Sequence, residues 1–155
     1  MRRNLAHLLS LAHERADRWL VAELAAAGLK GLAPSHGDVL ACLYRQGEAT
    51  MHELAAFARR TKPTTTILVD KLESLGYVAR EASTADARCQ IVSLTPQGEA
   101  LRPKFADISR RLVARAYAGF SPAEADALDA ALERLLSNFT PNPTTNTMEK
   151  QSWKK

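Results

Sequence analysis

The sequence is poor in the residues that mark most functional classes. Among 155 residues there are only two cysteines, Cys42 and Cys89, with no CxxC pair. That usage argues against a disulfide framework and fits a reducing cytoplasm, where the chain is expected to reside. The four histidines, His7, His13, His36 and His52, form neither HxxxH nor HExxH, so no metal and no cofactor is expected. No nucleophile stands with a base, no carboxylates pair, and Gly28 and Gly31 only punctuate a loop rather than cradle a phosphate. An enzyme is therefore not expected. No apolar run approaches the roughly 18 residues of a membrane span. Arg2 and Arg3 precede an apolar stretch, but His7, His13, Glu14, Arg15 and Asp17 interrupt it, so neither a membrane partner nor an export signal is expected.

What is present is ordinary for a globular chain: 46% hydrophobic and 25% charged residues, enough for one core with a helical annex. The net charge of +4 suits a polyanionic partner. That surplus is not concentrated, because residues 34 to 94 carry seven Lys or Arg against seven Asp or Glu. A basic footprint in this segment has to come from arrangement rather than from the sum.

Apolar residues from Leu5 to Ala27 recur at three- and four-residue steps and predict an amphipathic helix ending at Gly28. Ser35 and Asp38 signal the start of a second helix carrying Val39, Leu40, Leu43 and Tyr44, which Gly47 stops. Thr50 and Glu53 form a capping-box pair at the head of a short third helix. After a turn at Arg60 to Lys62, Pro63 opens a fourth helix with Thr65, Leu68, Val69, Leu72 and Leu75 inward and Gly76 at its end. Tyr77 to Arg80 and Gln90 to Leu94 read as two strands joined by a polar loop, a wing. Thr95 and Pro96 open a long fifth helix in which Pro103, about two turns in, predicts a bend. Ser121, Pro122 and Glu124 open a last helix with Leu128, Leu132, Leu135 and Phe139 inward. Residues 140 to 155 hold too little apolar content to pack and are expected to be disordered.

The predicted fold is mainly α with a small β-hairpin wing. Residues 34 to 94 form a winged helix-turn-helix, and 1 to 33 with 95 to 139 supply dimerisation helices, because a small wing domain cannot cover so many apolar faces. One exposed helix fits the major groove of a duplex while a hairpin reaches its flank, and a symmetric dimer suits a palindromic operator.

The stretch TKPTTTILVDKLESLGYVAREASTADARCQIVSLTPQG resembles the core of the MarR family of multiple-antibiotic-resistance-type regulators. The resemblance runs over roughly residues 5 to 139 and rests on Leu72-Glu73 to Gly76-Tyr77-Val78, on Asp86-Ala87-Arg88 and on Leu94-Thr95-Pro96-Gln97-Gly98. It implies an obligate homodimer built from the first and last helices, with a reading helix in the major groove and wing tips in the minor groove. It also implies a pocket between dimer helices and wing domain, where His13, Arg18, Trp19 and His36 are candidates to hold a small aromatic or phenolic effector. Two positions depart from the pattern: Ile67 stands where the family often has a polar residue, and Ala87 where a second wing arginine is common.

The function read from the sequence is sequence-specific binding of double-stranded DNA by a transcriptional repressor. Lys62, Thr64, Thr66, Ile67 and Lys71 fall on the outward face of the reading helix, and Arg59 and Arg60 are candidates for phosphate. Arg88 on a hairpin tip suits a narrow, electronegative minor groove, with Asp86 to orient it. Two alternatives stand beside this reading. One is a winged helix used for protein contacts, which the neutral segment 34 to 94 favours. The other is a thiol redox sensor, against which the first 41 residues, lacking any cysteine, argue.

Overall fold

The computed structural model describes residues 4–83 and 89–139. They form seven helices and three short strands among the described residues, in the order α1 (Leu5–Ala26), α2 (Pro34–Gln46), β1 (Glu48–Thr50), α3 (Met51–Ala58), α4 (Lys62–Ser74), β2 (Val78–Ala82), β3 (Gln90–Leu94), α5 (Pro96–Glu99), α6 (Arg102–Ala116) and α7 (Pro122–Asn138). The chain divides into two compact units between Val113 and Ala114.

In the first unit the core lies where α2, α3 and α4 meet the sheet. Val39, Leu40, Cys42 and Leu43 of α2, Leu54 of α3, Val69 and Leu72 of α4 and Val92 of β3 are fully buried. Truncating any of the leucines to alanine removes transfer energy and leaves a cavity, about 2–5 kcal/mol each. α1 contributes little to this core: Leu24 is buried and Trp19 and Leu20 pack against it, while Leu5, Leu8, Leu9 and Val21 remain exposed.

Three local details differ from the sequence reading. α2 begins at Pro34, one residue before Ser35, and its cap comes from His36, whose Nδ1 accepts the Ala33 N–H at 2.9 Å. A third strand, β1, precedes α3 and pairs antiparallel with β3, so the sheet order is β1-β3-β2. Three residues, Glu48 to the capping Thr50, are too few to show an alternating pattern. β2 is shifted by one residue at its start and two at its end, running from Val78, paired with Leu94, to Ala82, paired with Gln90.

The predicted fifth helix is two helices. The single turn α5 ends at Glu99, and after Ala100 and Leu101 the chain restarts as α6 at Arg102. Pro103 is thus in the first turn of a helix, where its missing N–H costs nothing, and the expected bend is a break. α5 is held against the end of α4 by Thr95, whose hydroxyl donates to Gly76 O and accepts from Gly98 N–H. Gly98 packs so closely on the Tyr77 carbonyl that an added Cβ would overlap its oxygen.

In the second unit, Ser121 and Glu124 form the capping box of α7, with Glu124 Oε2 accepting from Ser121 N–H at 2.8 Å. Tyr117 donates to Asp129 and meets Phe120 edge-on, with ring centroids 6.2 Å apart. No residue of α7 is buried. Leu132 and Leu135 are half-buried, but Leu128 and Leu136 are exposed and Phe139, expected to point inward, is 78% exposed.

Candidate nucleic-acid interface

The site is built on α3, a turn and α4. Thr50 and Glu53 fix the start of α3, the carboxylate accepting from Thr50 N–H at 2.7 Å and from its hydroxyl at 2.8 Å. Those two bonds hold the Glu53 carboxyl below its ordinary range. α3 ends at Arg59 with φ 52 and ψ 45, the one positive φ among the described non-glycine residues. Left-handed backbone costs an L-residue roughly 1–2 kcal/mol, so an arginine kept at this corner points to a use for its charge. Arg60 N–H closes the helix on Ala55 O at 3.0 Å, and Thr61 caps α4 by accepting from Thr64 N–H at 3.4 Å. Arg59, Arg60 and Lys62, all exposed, border an open concavity of about 490 Å³ at this turn. Arg60 also leans toward Asp38, 3.9 Å away.

α4 divides cleanly by face. Thr65, Leu68, Val69 and Leu72 are buried, the Thr65 hydroxyl donating to Thr61 O at 3.0 Å. Lys62, Thr64 and Ile67 are exposed, with Thr66 half-buried beside them. Thr64 shares a hydrogen with the Thr61 hydroxyl at 2.9 Å, and Thr66 donates to Lys62 O at 3.0 Å. Lys71 departs from this group: its side chain runs along the loop between α1 and α2 at Gly31, and its charge is felt by His36. Arg80 of β2 pairs with Asp70 and lies 3.3 Å by Nε from Glu73. That Nε, buried and off-angle for a hydrogen bond, belongs to a side chain only 17% exposed. Arg80 thus ties the wing strand β2 to α4. Sequence reasoning placed Arg80 only at the wing edge; the signal was Asp70 and Glu73, three apart on one side of a helix.

Asp86 and Arg88 lie outside the described residues. The strands carry the hairpin as far as Ser83, whose N–H donates to Cys89 O at 2.8 Å.

The four effector candidates are not brought together. His13 pairs with Asp17 at 3.4 Å and Arg18 with Glu14, all on the exposed side of α1. Trp19 packs against the core, and His36 is buried at the head of α2. None of the four lines the cleft of about 450 Å³ that opens between α1, α2 and α6. Its walls include Leu20, Leu24, Tyr44, Phe105, Ile108 and Leu112, with Asp38, Arg45, Arg102 and Ser109 as its polar groups. Arg102 stacks over the Tyr44 ring at 4.8 Å and donates to Tyr44 O at 3.0 Å and to Glu99. The Tyr44 hydroxyl donates to Gly98 O at 2.9 Å, and burial, with the Glu99 charge, pushes its pKa up to about 12.

The thiol alternative finds little support here. Cys42 is buried and its thiol is pushed up by burial and then by Glu53, the reverse of what a reactive thiolate needs. Cys89 is exposed at the base of the wing.

The sequence pattern of the MarR family matches residues 32–90. YkoM of Bacillus subtilis, an uncharacterized HTH-type transcriptional regulator, is 31% identical over 104 residues, 67% of this chain and 68% of its own length. Among solved structures, a cysteine-to-serine variant of E. coli MarR complexed with operator DNA matches with a TM-score of 0.77 at 22% identity, over 85% of this chain and 93% of that one. BpsR of Bordetella bronchiseptica, whose DNA binding is regulated by 6-hydroxynicotinic acid, matches with a TM-score of 0.69 at 24% identity, over 86% and 98%. At these identities the two structures speak for the fold. No described helix is long and apolar enough to cross a membrane. A helix-turn-helix tied to a wing strand, a family pattern that runs from the head of α2 to the start of β3 and a relative this similar in sequence agree, and the chain belongs to the MarR family of winged-helix transcriptional regulators, which are not enzymes.

Proposed function

We propose that the chain is a homodimeric repressor that seats its two α4 helices in successive major grooves of an inverted-repeat operator. The observation that carries this reading is the face of α4 left open beside Arg59, Arg60 and Lys62 on a rigidly cored head. Phosphates take Arg59, Arg60 and Lys62, bases meet Thr64, Thr66 and Ile67, and Lys71, swung off the loop at Gly31 where it lies in the single chain, approaches the backbone from the far end of the helix. Arg88, oriented by Asp86, enters the minor groove beyond the wing strands. The exposed Leu5, Leu8, Leu9 and Val21 of α1, and Leu136 and Phe139 of the second unit, supply apolar surface for a second copy. The E. coli relative was solved on operator DNA, which supports the same use here.

Selection of a site from random duplexes tests this. The recovered sequence is expected to be an inverted repeat with half-sites centred about 10 base pairs apart. Affinity should fall steeply with salt as displaced counterions are released. No enriched sequence, with salt-independent binding of a protein instead, would leave the protein-docking reading in its place.

A second reading, regulation by a small aromatic compound, is favoured by the 450 Å³ cleft and by the regulation of BpsR by 6-hydroxynicotinic acid. The cleft's apolar walls suit a ring, and Arg45 and Arg102 suit a carboxylate. His13, Arg18, Trp19 and His36, proposed from the sequence, are the alternative contacts and lie outside this cleft. Alanine at Phe105 against alanine at Trp19, each titrated with a panel of aromatic acids, separates the two places.

A further inference from the structure

We propose that Ile67 determines specificity on the reading helix by packing on the 5-methyl group of thymine, an inference that rests on the DNA-reading proposal above. Ile67 is 68% exposed; a single exposed aliphatic group is common on a protein surface, and it is the rest of the face that gives this one a use. α4 reads KPTTTILVDKLES and contains no arginine, asparagine or glutamine; of the side chains that recognise guanine or adenine through paired hydrogen bonds it holds only two lysines, Lys62 at the turn and Lys71 at the far end, neither at the centre of the face. Its other polar groups are already engaged: Thr66 donates to Lys62 O, Thr64 shares its hydrogen with Thr61, and Asp70 pairs with Arg80. Lys71 lies over the loop at Gly31. The centre of the face is therefore aliphatic, made of Ile67 and the methyl groups of the threonines. The major groove offers one apolar feature, the thymine methyl. Arg59, Arg60 and Lys62 at the adjoining turn make a polyanion, rather than an apolar protein surface, the partner that fits.

The experiment uses the full chain and the duplex recovered by selection, with each thymine of a half-site replaced in turn by deoxyuridine. That replacement deletes the methyl group and keeps every hydrogen-bonding edge. Fluorescence anisotropy is expected to show a loss of roughly fourfold in affinity at one or two positions, the contribution of one methyl group removed from water. Ile67→Ala should bind the thymine duplex more weakly and treat thymine and uracil alike at those positions, while Ile67→Val keeps part of the difference. Because the side chain is exposed, the variants should melt as the parent does. Equal affinity at every deoxyuridine position, or a thymine preference that survives in Ile67→Ala, overturns the proposal while leaving DNA reading intact. Failure of DNA reading looks different, since no duplex would then be enriched or bound in a salt-dependent way, and both proposals would fall together.

Discussion

His36 holds the head of α2 through an imidazole nitrogen that must stay unprotonated to accept the Ala33 N–H. Burial, and then the charge of Lys71 on α4, lowers its pKa from the ordinary histidine value. The unfolded chain therefore takes up this proton first. Stability is complete above about pH 6.5 and declines as the pH falls through that value toward the folded pKa. His36→Gln should flatten the decline, because a glutamine at the third helical position still offers the cap an oxygen acceptor. Urea midpoints at pH 7.5 and 5.5 check this, and an equal decline in both proteins would refute it. Gly98 makes a second prediction at this scale. Gly98→Ala forces backbone apart at Tyr77, and a loss of roughly 2 kcal/mol or more is expected in chemical denaturation; a neutral result would show that the α5 contact is soft.

At the scale of elements, the helices were legible in the sequence because their ends carry chemistry. Thr50 with Glu53, Ser121 with Glu124, and Pro63, Pro96 and Pro122 in first turns all mark starts that the structure keeps. The head of α2 misled because its cap is a histidine reaching back rather than a serine reaching forward. The break at Ala100–Leu101 was read as a bend at Pro103, since a proline signals an irregularity without saying on which side it falls. A test follows from that geometry. Pro103→Ala should change stability by no more than about 0.5 kcal/mol, whereas relief of a proline in a helix interior would add about 3 kcal/mol. Arg80 is the element-scale part of the site, and Arg80→Met should weaken operator binding more than its distance from the outer face of α4 suggests. Its ion pairs with Asp70 and Glu73 contribute about 1 kcal/mol or less to stability, so a variant that folds normally yet binds several-fold more weakly identifies a positioning role. Unchanged binding would make the pairs ornamental.

At the scale of the molecule, periodicity marks apolar faces on α1 and α7, but it cannot say whether a face meets its own chain or another. The exposure of Leu8, Val21, Leu136 and Phe139 in the single chain is what makes a second copy the expected cover. Sedimentation at micromolar concentration should give a dimer, and Leu8→Glu with Val21→Glu should shift it toward monomer and weaken operator binding in step. A wild-type monomer at that concentration would end the reading. The cleft was not legible for a related reason: Leu20, Tyr44 and Phe105 come from three helices distant in sequence, and only packing brings them together.

The three-stranded sheet bears on how such a protein diversifies. β3 is the middle strand, clamped by β1 on one side from Glu48 to Thr50 and by β2 on the other from Val78 to Ala82. Its register is set from the side of α3 by β1 as well as by β2, so two separate pairings align the same strand. A substitution that loosens one of the two pairings leaves the other to hold β3 in line, so the sheet acts as a doubly keyed joint whose outer strands can drift in sequence one at a time.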